Sequence, residues 1–122
     1  MLSGDFFYIT GLDEGNGKIN ATLEINATHK IFEGHFPGQP VVPGVCMMQM
    51  VKEITETVLG AELRLKRADN LKFIALIDPT RNGLLEMQLT YKRNEDGLVN
   101  VSANLLNNET VCFKFNGLFL PQ

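Results

Sequence analysis

The chain has 122 residues, of which 44% are hydrophobic and 20% are charged, and its formal net charge is −3. This length and composition fit one globular domain, residues 1–122, with a hydrophobic core of its own. The negative charge argues against nucleic acid as the main partner, and no stretch approaches the ~20 consecutive apolar residues of a membrane span. The first residues carry Asp5 and no basic segment, which does not fit a secretory signal. We therefore expect a cytoplasmic protein.

Neither the cysteines nor the first histidine suggests a metal site. Cys46 and Cys112 lack metal-ligand spacing, and two cysteines in a cytosolic chain are usually free thiols. His29 stands next to Lys30 with no partner ligand spaced for it. We predict His29 on the surface and no metal site in the chain.

The pattern along the chain predicts strands and turns around one long helix. Four segments alternate apolar and polar side chains with the period of two that marks a half-buried strand: residues 19–26, 85–91, 99–105 and 111–116. Two further strands are predicted at residues 6–12 and at residues 62–77, the second bent near Asp69 and Asn70. Residues 94–97 and 107–108 are predicted as hairpin turns, because Asn, Asp and Gly tolerate positive φ. The last three strands should therefore form an antiparallel meander.

Residues 44–59 are predicted as the long helix, with Gly60 as its stop. The first turns are apolar nearly all round, which predicts a helix enclosed by other elements. A polar stripe is predicted on another face, at Gln49, Lys52, Glu53 and Glu56. One enclosed helix and five to six antiparallel strands predict an α+β domain whose sheet wraps around the helix.

The connection before the helix is rich in proline and glycine, with prolines at positions 37, 40 and 43. Proline fixes φ and glycine allows close backbone approach, so this connection should be rigid and able to bring backbone against a ligand. Pro43 suits the first helical position. The unpaired N–H groups of Gly44 and Val45 would suit a carbonyl oxygen that develops negative charge. His35 is a candidate general base, because an ordinary histidine pKa of ~6.5 lies near operating pH; the alternative is a histidine that only packs in this connection.

The string from Gly34 to Val45, GHFPGQPVVPGV, resembles the signature GHFPGxPxxPGV of the β-hydroxyacyl-(acyl-carrier-protein) dehydratases. One histidine, three prolines and three glycines in fixed register are far more specific than a lone glycine-rich motif. Residues 23–26 upstream, and residues 70–73 and 78–79 downstream, are similar to other parts of that family's pattern. The likeness in layout runs from about residue 17 to the end of the chain.

This resemblance implies a hot-dog fold, in which an antiparallel sheet wraps a long central helix. It also implies a dimer whose two sheets join edge to edge, with active sites at the subunit boundary; a larger oligomer of dimers and a heterodimer stay open. The implied substrates are 3-hydroxyacyl thioesters of acyl carrier protein or coenzyme A, and no cofactor is expected.

In the chemistry of that family a histidine removes a proton from C2, and an acidic residue protonates the departing 3-hydroxyl. Carried over to this chain, His35 is the base and the N–H of Gly44 polarises the thioester carbonyl. The residues expected to contact the substrate are Phe36, Pro43, Val45 and Met48.

Position 49 is where the chain departs from the family. The family's acid lies on the central helix fourteen positions after the histidine, and that position is Gln49 here. An amide can hold a hydroxyl or a water but cannot release a proton, and general acid catalysis is worth ~10²–10⁴-fold.

Four interpretations of Gln49 stay open. Protonated His35 or water supplies the proton, or Glu53, ~6 Å further along the helix, replaces the missing acid. In the third, a related subunit supplies the carboxylate, or the protein only binds acyl chains. In the fourth, Gln49 merely begins the polar stripe at the surface.

Basic residues cluster in the segment after the helix, at Arg64, Lys66, Arg67 and Lys72, and Asp69 alone opposes them locally. A solvated strand edge decorated with charge would explain them. Because carrier proteins are acidic, the resemblance makes a docking surface for acyl carrier protein an equal candidate.

Together these observations favour elimination of water from a 3-hydroxyacyl thioester to give a trans-2-enoyl thioester, in fatty-acid or related acyl-chain biosynthesis. Gln49 would orient the hydroxyl or a water. The alternative is a catalytically impaired subunit that binds acyl thioesters, either alone or in a heterodimer whose partner supplies the carboxylate. A thioesterase fits less well, because no carboxylate is placed as a hydrolytic base.

Overall fold

A computed structural model describes residues 1–34 and 38–122. Within these ranges the chain forms six strands and two helices. In chain order they are β1 (Phe7–Gly15), β2 (Lys18–Ile25), α1 (Ile31–Gly34), α2 (Gly44–Leu59), β3 (Leu63–Phe73), β4 (Leu84–Arg93), β5 (Val99–Asn107) and β6 (Thr110–Pro121). The short helix α1 was not predicted from the sequence.

The strands form one antiparallel sheet in the order β1-β2-β4-β5-β6-β3. The predicted meander is confirmed, because β4, β5 and β6 are neighbours in the sheet. β3 pairs with β6, at the far side from β1, so these two strands are the edges of the described sheet. β3 has two register irregularities, one between Leu65 and Arg67 and one between Ala68 and Asn70, and the second lies where a bend was predicted.

One face of the sheet and one side of α2 form the core. In β2 the alternation is complete, because Ile19, Ala21, Leu23 and Ile25 are buried and the residues between them are exposed. Five side chains of α2 join the same buried cluster: Cys46, Met47, Met50, Val51 and Ile54. Removing these apolar surfaces from water together is the main driving force for packing the helix on the sheet. The predicted α+β class is confirmed.

Helix α2 has the predicted bounds, and Gly60 ends it in the left-handed conformation, φ 64°, with its N–H donated to the carbonyl of Glu56. The prediction for Pro43 was wrong by one position. Pro43 is the N-cap with φ −64° and ψ 146°, so its backbone is extended. Its carbonyl oxygen accepts the N–H groups of Cys46 and Met47, at 3.0 and 3.2 Å.

Two further expectations for α2 are corrected. The helix is not enclosed on every side, because Val45 in its first turn is 78% exposed. The polar stripe is also interrupted, because Glu53 is only 1% exposed while its neighbours Lys52 and Glu56 are half-buried. The physical reason is that the backbone N–H groups of Leu2 and Ser3 donate hydrogen bonds to the Glu53 carboxylate.

Both predicted hairpin turns exist, and one is shifted. Between β4 and β5 the side-chain oxygen of Asn94 accepts the N–H groups of Asp96 and Leu98, as expected for an Asx turn. Between β5 and β6 the residues with positive φ are Asn108 and Glu109. The turn therefore lies one residue later than predicted.

Candidate active site

The proline-rich connection leads from α1 to α2, and the candidate base lies in the part that the structure does not describe. His35, Phe36 and Pro37 are outside the described residues, so their predicted roles stay predictions. Beyond them the connection is tied down at its end, where the N–H of Val42 donates to the carbonyl oxygen of Ile77 at 2.9 Å. This bond holds the start of α2 beside the segment that follows β3.

The start of α2 presents backbone N–H groups beside an aromatic ring. Within the described residues, no acceptor lies within hydrogen-bond distance of the N–H of Gly44 or Val45. A β-carbon added at Gly44 would approach two ring carbons of Phe73 to 2.7 Å. Glycine at this position therefore lets the ring cover the end of the helix, where donor groups and the helix dipole favour a developing negative charge.

Exposed apolar side chains occur in the first turn of α2 and in the segment that begins with Phe73, whose ring contacts this helix end. Val45 and Leu76 are 78% and 79% exposed, and Phe73 and Ile74 are 54% and 52% exposed. Phe73 also stacks on Phe113, with ring centroids 5.1 Å apart. Exposed apolar side chains that lie together indicate a surface that binds another molecule.

The other residues predicted to contact substrate divide between core and surface. Pro43 is buried, and Met48 is half-buried and packs against the core. Val45 is the most exposed of these three, at 78%.

Gln49 is part of a hydrogen-bonded chain that reaches the N-terminus. Its Nε2 donates to Oε2 of Glu53, one turn along α2, at 2.8 Å. The carboxylate of Glu53 also accepts the N–H of Leu2 on Oε2 and the N–H of Ser3 on Oε1, both at 2.8 Å. A buried carboxylate is tolerated when donors satisfy its oxygens, and here three N–H groups do so.

This arrangement argues against two of the four interpretations of position 49. Glu53 is buried and its oxygens are engaged by three donors, which argues against Glu53 as the replacement acid. Gln49 is half-buried and hydrogen-bonded, so it does more than begin an exposed stripe.

Gly44 and Gln49 lie on different sides of the helix. They are five positions apart in the sequence, which corresponds to about 7.5 Å along the helix axis and about 140° around it. Gln49 instead shares a face with the exposed Val45, one turn before it. Within a single α2 helix, the N–H of Gly44 and the side-chain amide of Gln49 therefore point in different directions.

The four basic residues predicted as a docking surface lie on β3 and are exposed, together with the Asp69 that opposes them. Arg67 forms a salt bridge with Asp69 at 2.5 Å, and this hydrogen-bonded carboxylate raises the pKa of the guanidinium. Sequence reasoning missed Lys114 of β6, which stands directly opposite Lys72. Two like charges opposite each other are unfavourable, and a bound anionic group would relieve them.

His29 is less exposed than predicted, and its role is structural. Its side chain is 19% exposed, Nε2 lies 3.1 Å from Oδ2 of Asp5, and Nδ1 accepts the N–H of Ile31. Because Nδ1 accepts, Nε2 carries the proton and donates to Asp5. The ring also packs edge-on against Phe6. His29 thus fixes the start of α1.

The two cysteines are free thiols, as predicted, and both are buried. Burial raises the pKa of the Cys46 and Cys112 thiols, which disfavours the reactive thiolate. In the described ranges no three His, Cys, Asp or Glu side chains come together as a metal-ligand set. Neither helix there is long and apolar enough to cross a membrane.

Comparison with protein families finds a match over most of the chain. A family model described as "ApeI-like: ApeI dehydratase" matches residues 12–116. The 3-hydroxyacyl-[acyl-carrier-protein] dehydratase FabZ of Pediococcus pentosaceus is 27% identical over 112 residues, 86% of this chain and 74% of the relative. The corresponding FabZ of Ruegeria sp. is 30% identical over 96 residues, 73% of this chain and 58% of the relative. The chain thus spans only part of the length of these relatives.

Solved structures share the fold. The dehydratase heterocomplex ApeI:P from Xenorhabdus doucetiae superposes with a TM-score of 0.70 at 20% identity, over 90% of this chain and 95% of the other. A hypothetical thioesterase with coenzyme A from Streptococcus pneumoniae gives a TM-score of 0.65 at 11% identity, over 98% and 91%. At these identities the likeness concerns the fold, and the predicted hot-dog fold is confirmed.

Proposed function

Because the chain belongs to the ApeI-like dehydratase family, we propose that it eliminates water from 3-hydroxyacyl thioesters to give trans-2-enoyl thioesters. The match over residues 12–116 carries this proposal, since it includes the whole GHFPGQPVVPGV segment. Thioesters of acyl carrier protein are the proposed substrates, because the FabZ relatives are named for them, and coenzyme A thioesters are the alternative.

Each proposed residue has one task in the elimination. The N–H of Gly44 binds the thioester carbonyl oxygen, which gains negative charge when His35 takes the proton from C2. The hydroxyl then leaves C3 as water, with the proton returned by His35 either directly or through a water that Gln49 holds, which His35 reprotonates. The product carries a double bond between C2 and C3, and His35 is again neutral.

The alternative function is a subunit that binds acyl thioesters while a partner supplies the carboxylate. The observation that favours it is that Gln49, an amide, occupies the position of the family's proton donor and is held there by a hydrogen bond to Glu53. The proposed partner is a related chain with Glu or Asp at the matching helix position, and co-purification with such a chain would identify it.

We further propose that two chains associate through β3, either two copies or this chain and a related one. β3 is an edge strand, and most of its residues are exposed. Such an edge offers unpaired backbone groups to another strand. The different directions of Gly44 and Gln49 on one helix fit a site completed from both chains.

We test the function by moving the carboxylate one turn along the helix. The double variant Gln49→Glu/Glu53→Gln keeps the net charge and can keep the hydrogen bond between the two positions in the reverse sense. The amide oxygen at position 53 can still accept the N–H of Ser3, which Oε1 accepts in the wild type, whereas the N–H of Leu2, which Oε2 accepts, loses this acceptor. We expect dehydration of a 3-hydroxyacyl thioester to rise by ~10²–10⁴-fold over wild type.

The same double variant with His35→Ala is the control, and it should lose the gained activity. Substrate binding measured beside turnover separates a folded but inactive protein from one with no site. A wild type that turns over as fast as the double variant would show that the missing acid does not limit the reaction. Absence of both binding and turnover in every variant would reject the dehydratase function.

A further inference from the structure

The orientation of the Gln49 amide is decided by Glu53. Both oxygens of Glu53 accept hydrogen bonds, Oε2 from the N–H of Leu2 and Oε1 from the N–H of Ser3, so the group of Gln49 that faces Oε2 at 2.8 Å is the NH₂ group. The reverse orientation would set the amide oxygen against a carboxylate oxygen. The N–H groups of Leu2 and Ser3 hold that carboxylate from the other side.

Three donors on a buried carboxylate make this arrangement rigid. Glu53 is 1% exposed, and rotating its side chain would leave the N–H groups of Leu2 and Ser3 without their acceptor. Gln49, by contrast, is half-buried, on the face that carries the exposed Val45. Within the described residues the side-chain hydrogen bond of Gln49 runs through Nε2, which leaves Oε1 to accept from a ligand.

We propose that Glu53 is a positioning residue that makes Gln49 a hydrogen-bond acceptor, and that this selects thioesters with a 3-hydroxyl over those with a 3-keto group. A hydroxyl donates to Oε1 of Gln49, whereas a ketone only accepts and meets another acceptor. The inference rests on the proposed function for its ligands, and on the Gln49–Glu53 contact for its mechanism.

The experiment compares binding of two unreactive pantetheine amides, one with a 3-hydroxyacyl and one with a 3-oxoacyl chain. Wild type should prefer the hydroxyl ligand by about three- to tenfold, the value of one net hydrogen bond. Glu53→Gln should remove most of the preference, because an amide at position 53 lets Gln49 take either orientation. Glu56→Gln is the matched control: Glu56 lies on the same helix and is half-buried, but its carboxylate accepts the N–H of Leu63 and makes no bond to Gln49.

A second measurement needs no ligand and remains informative if a variant is unstable. In ¹⁵N-resolved spectra of the wild type, the Gln49 NH₂ protons should exchange slowly with water, and Glu56→Gln should leave them unchanged. Rapid exchange in the wild type would overturn the positioning role. Equal preference in the wild type and in Glu53→Gln would overturn the selectivity.

The two proposals fail in different ways. If the wild type binds neither amide, the acyl-thioester function fails, and the exchange of the Gln49 protons still decides the role of Glu53. If both amides bind equally well, the function stands and the selectivity is wrong.

Discussion

At position 49 this chain has an amide where the family has a carboxyl group. The effect of that difference depends on the neighbouring Glu53. Gln49 and Glu53 share a hydrogen bond of 2.8 Å. A carboxyl group at both positions would set two like charges side by side, and such pairs retain a proton that separate groups would lose.

We predict that the single variant Gln49→Glu loses stability as pH rises from 4 to 8. The folded protein would hold a proton between the two carboxylates, so the pKa of one is raised above its unfolded value. Stability is then retained at low pH and lost as pH rises through the raised pKa, by about 1.4 kcal/mol for each unit of the shift. Urea denaturation followed by circular dichroism at several pH values measures the effect.

Gln88→Glu is the matched control for this prediction. Nε2 of Gln88 donates to Oε1 of Glu86 at 2.9 Å, but this pair is exposed. Water screens the two charges there, so the effect should stay below about 1 kcal/mol at any pH. Equal pH dependence in both variants would show that burial at Glu53 has no special role.

The sequence predicts part of this site and misses the rest for a physical reason. Gln49 stands out from the motif spacing alone. The burial of Glu53 does not, because its backbone donors come from Leu2 and Ser3, 51 and 50 positions away. Helical periodicity reports only neighbours on the same helix, so it placed Glu53 on a polar stripe.

At the scale of single elements, β3 combines an open edge with a basic surface. Its four basic residues are exposed, and Lys72 lies opposite Lys114 of β6. Backbone pairing along the edge leaves these side chains free, so one strand can serve both a second chain and an acidic carrier. We propose that these side chains bind acyl carrier protein.

We predict that Lys72→Glu changes stability and carrier binding in opposite directions. A carboxylate opposite Lys114 replaces a repulsive pair with an attractive one, which should stabilise the fold by roughly 0.2–1 kcal/mol. The same change should weaken binding of an acidic acyl carrier protein, most strongly at low salt. Calorimetric titration with the carrier protein and thermal denaturation measure the two effects.

Lys92→Glu provides the comparison, because Lys92 is exposed on β4 and stands opposite the neutral Asn100. It should leave carrier binding unchanged. If both variants weaken binding equally, overall charge rather than the β3 surface attracts the carrier.

Strands with one buried face could be predicted from the sequence, whereas the bounds and partner of the exposed strand β3 could not. β2 follows a strict alternation, and its bounds were predicted within one residue. β3 is exposed along most of its length, so no alternation marks its bounds or its partner. Its place next to β6 depends on contacts between distant segments, which a local pattern does not contain.

For the whole molecule, the exposed apolar residues near the helix start continue the edge of β3. Phe73 ends the strand, and Ile74 and Leu76 follow it, each more than half exposed. In a dimer joined along β3 these side chains would be removed from water.

We predict that Ile74→Asp converts a dimer into a monomer of 13.6 kDa. A carboxylate at position 74 would be unfavourable in the buried apolar contact of the dimer, but not in the monomer, where water surrounds it. Sedimentation or light scattering gives the mass. Leu84→Asp is the control, because Leu84 is 61% exposed but lies at the start of β4, away from the β3 edge.

A wild type that is already monomeric would reject association through β3. A dimer that persists in Ile74→Asp would place the contact elsewhere. Neither result affects the fold, which the core of α2 and the sheet determines.

The hydrogen bond between positions 49 and 53 also has an evolutionary consequence. Codons for Gln and Glu differ by a single nucleotide, so one mutation converts a helix with a proton-donating Glu at position 49 into one with Gln, or the reverse. The intermediates, however, are unfavourable: changing Gln49 first pairs two carboxylates, and changing Glu53 first leaves neither position with one. Natural selection would therefore tend to keep each lineage in one arrangement, and a duplicated gene would be free to cross to the other.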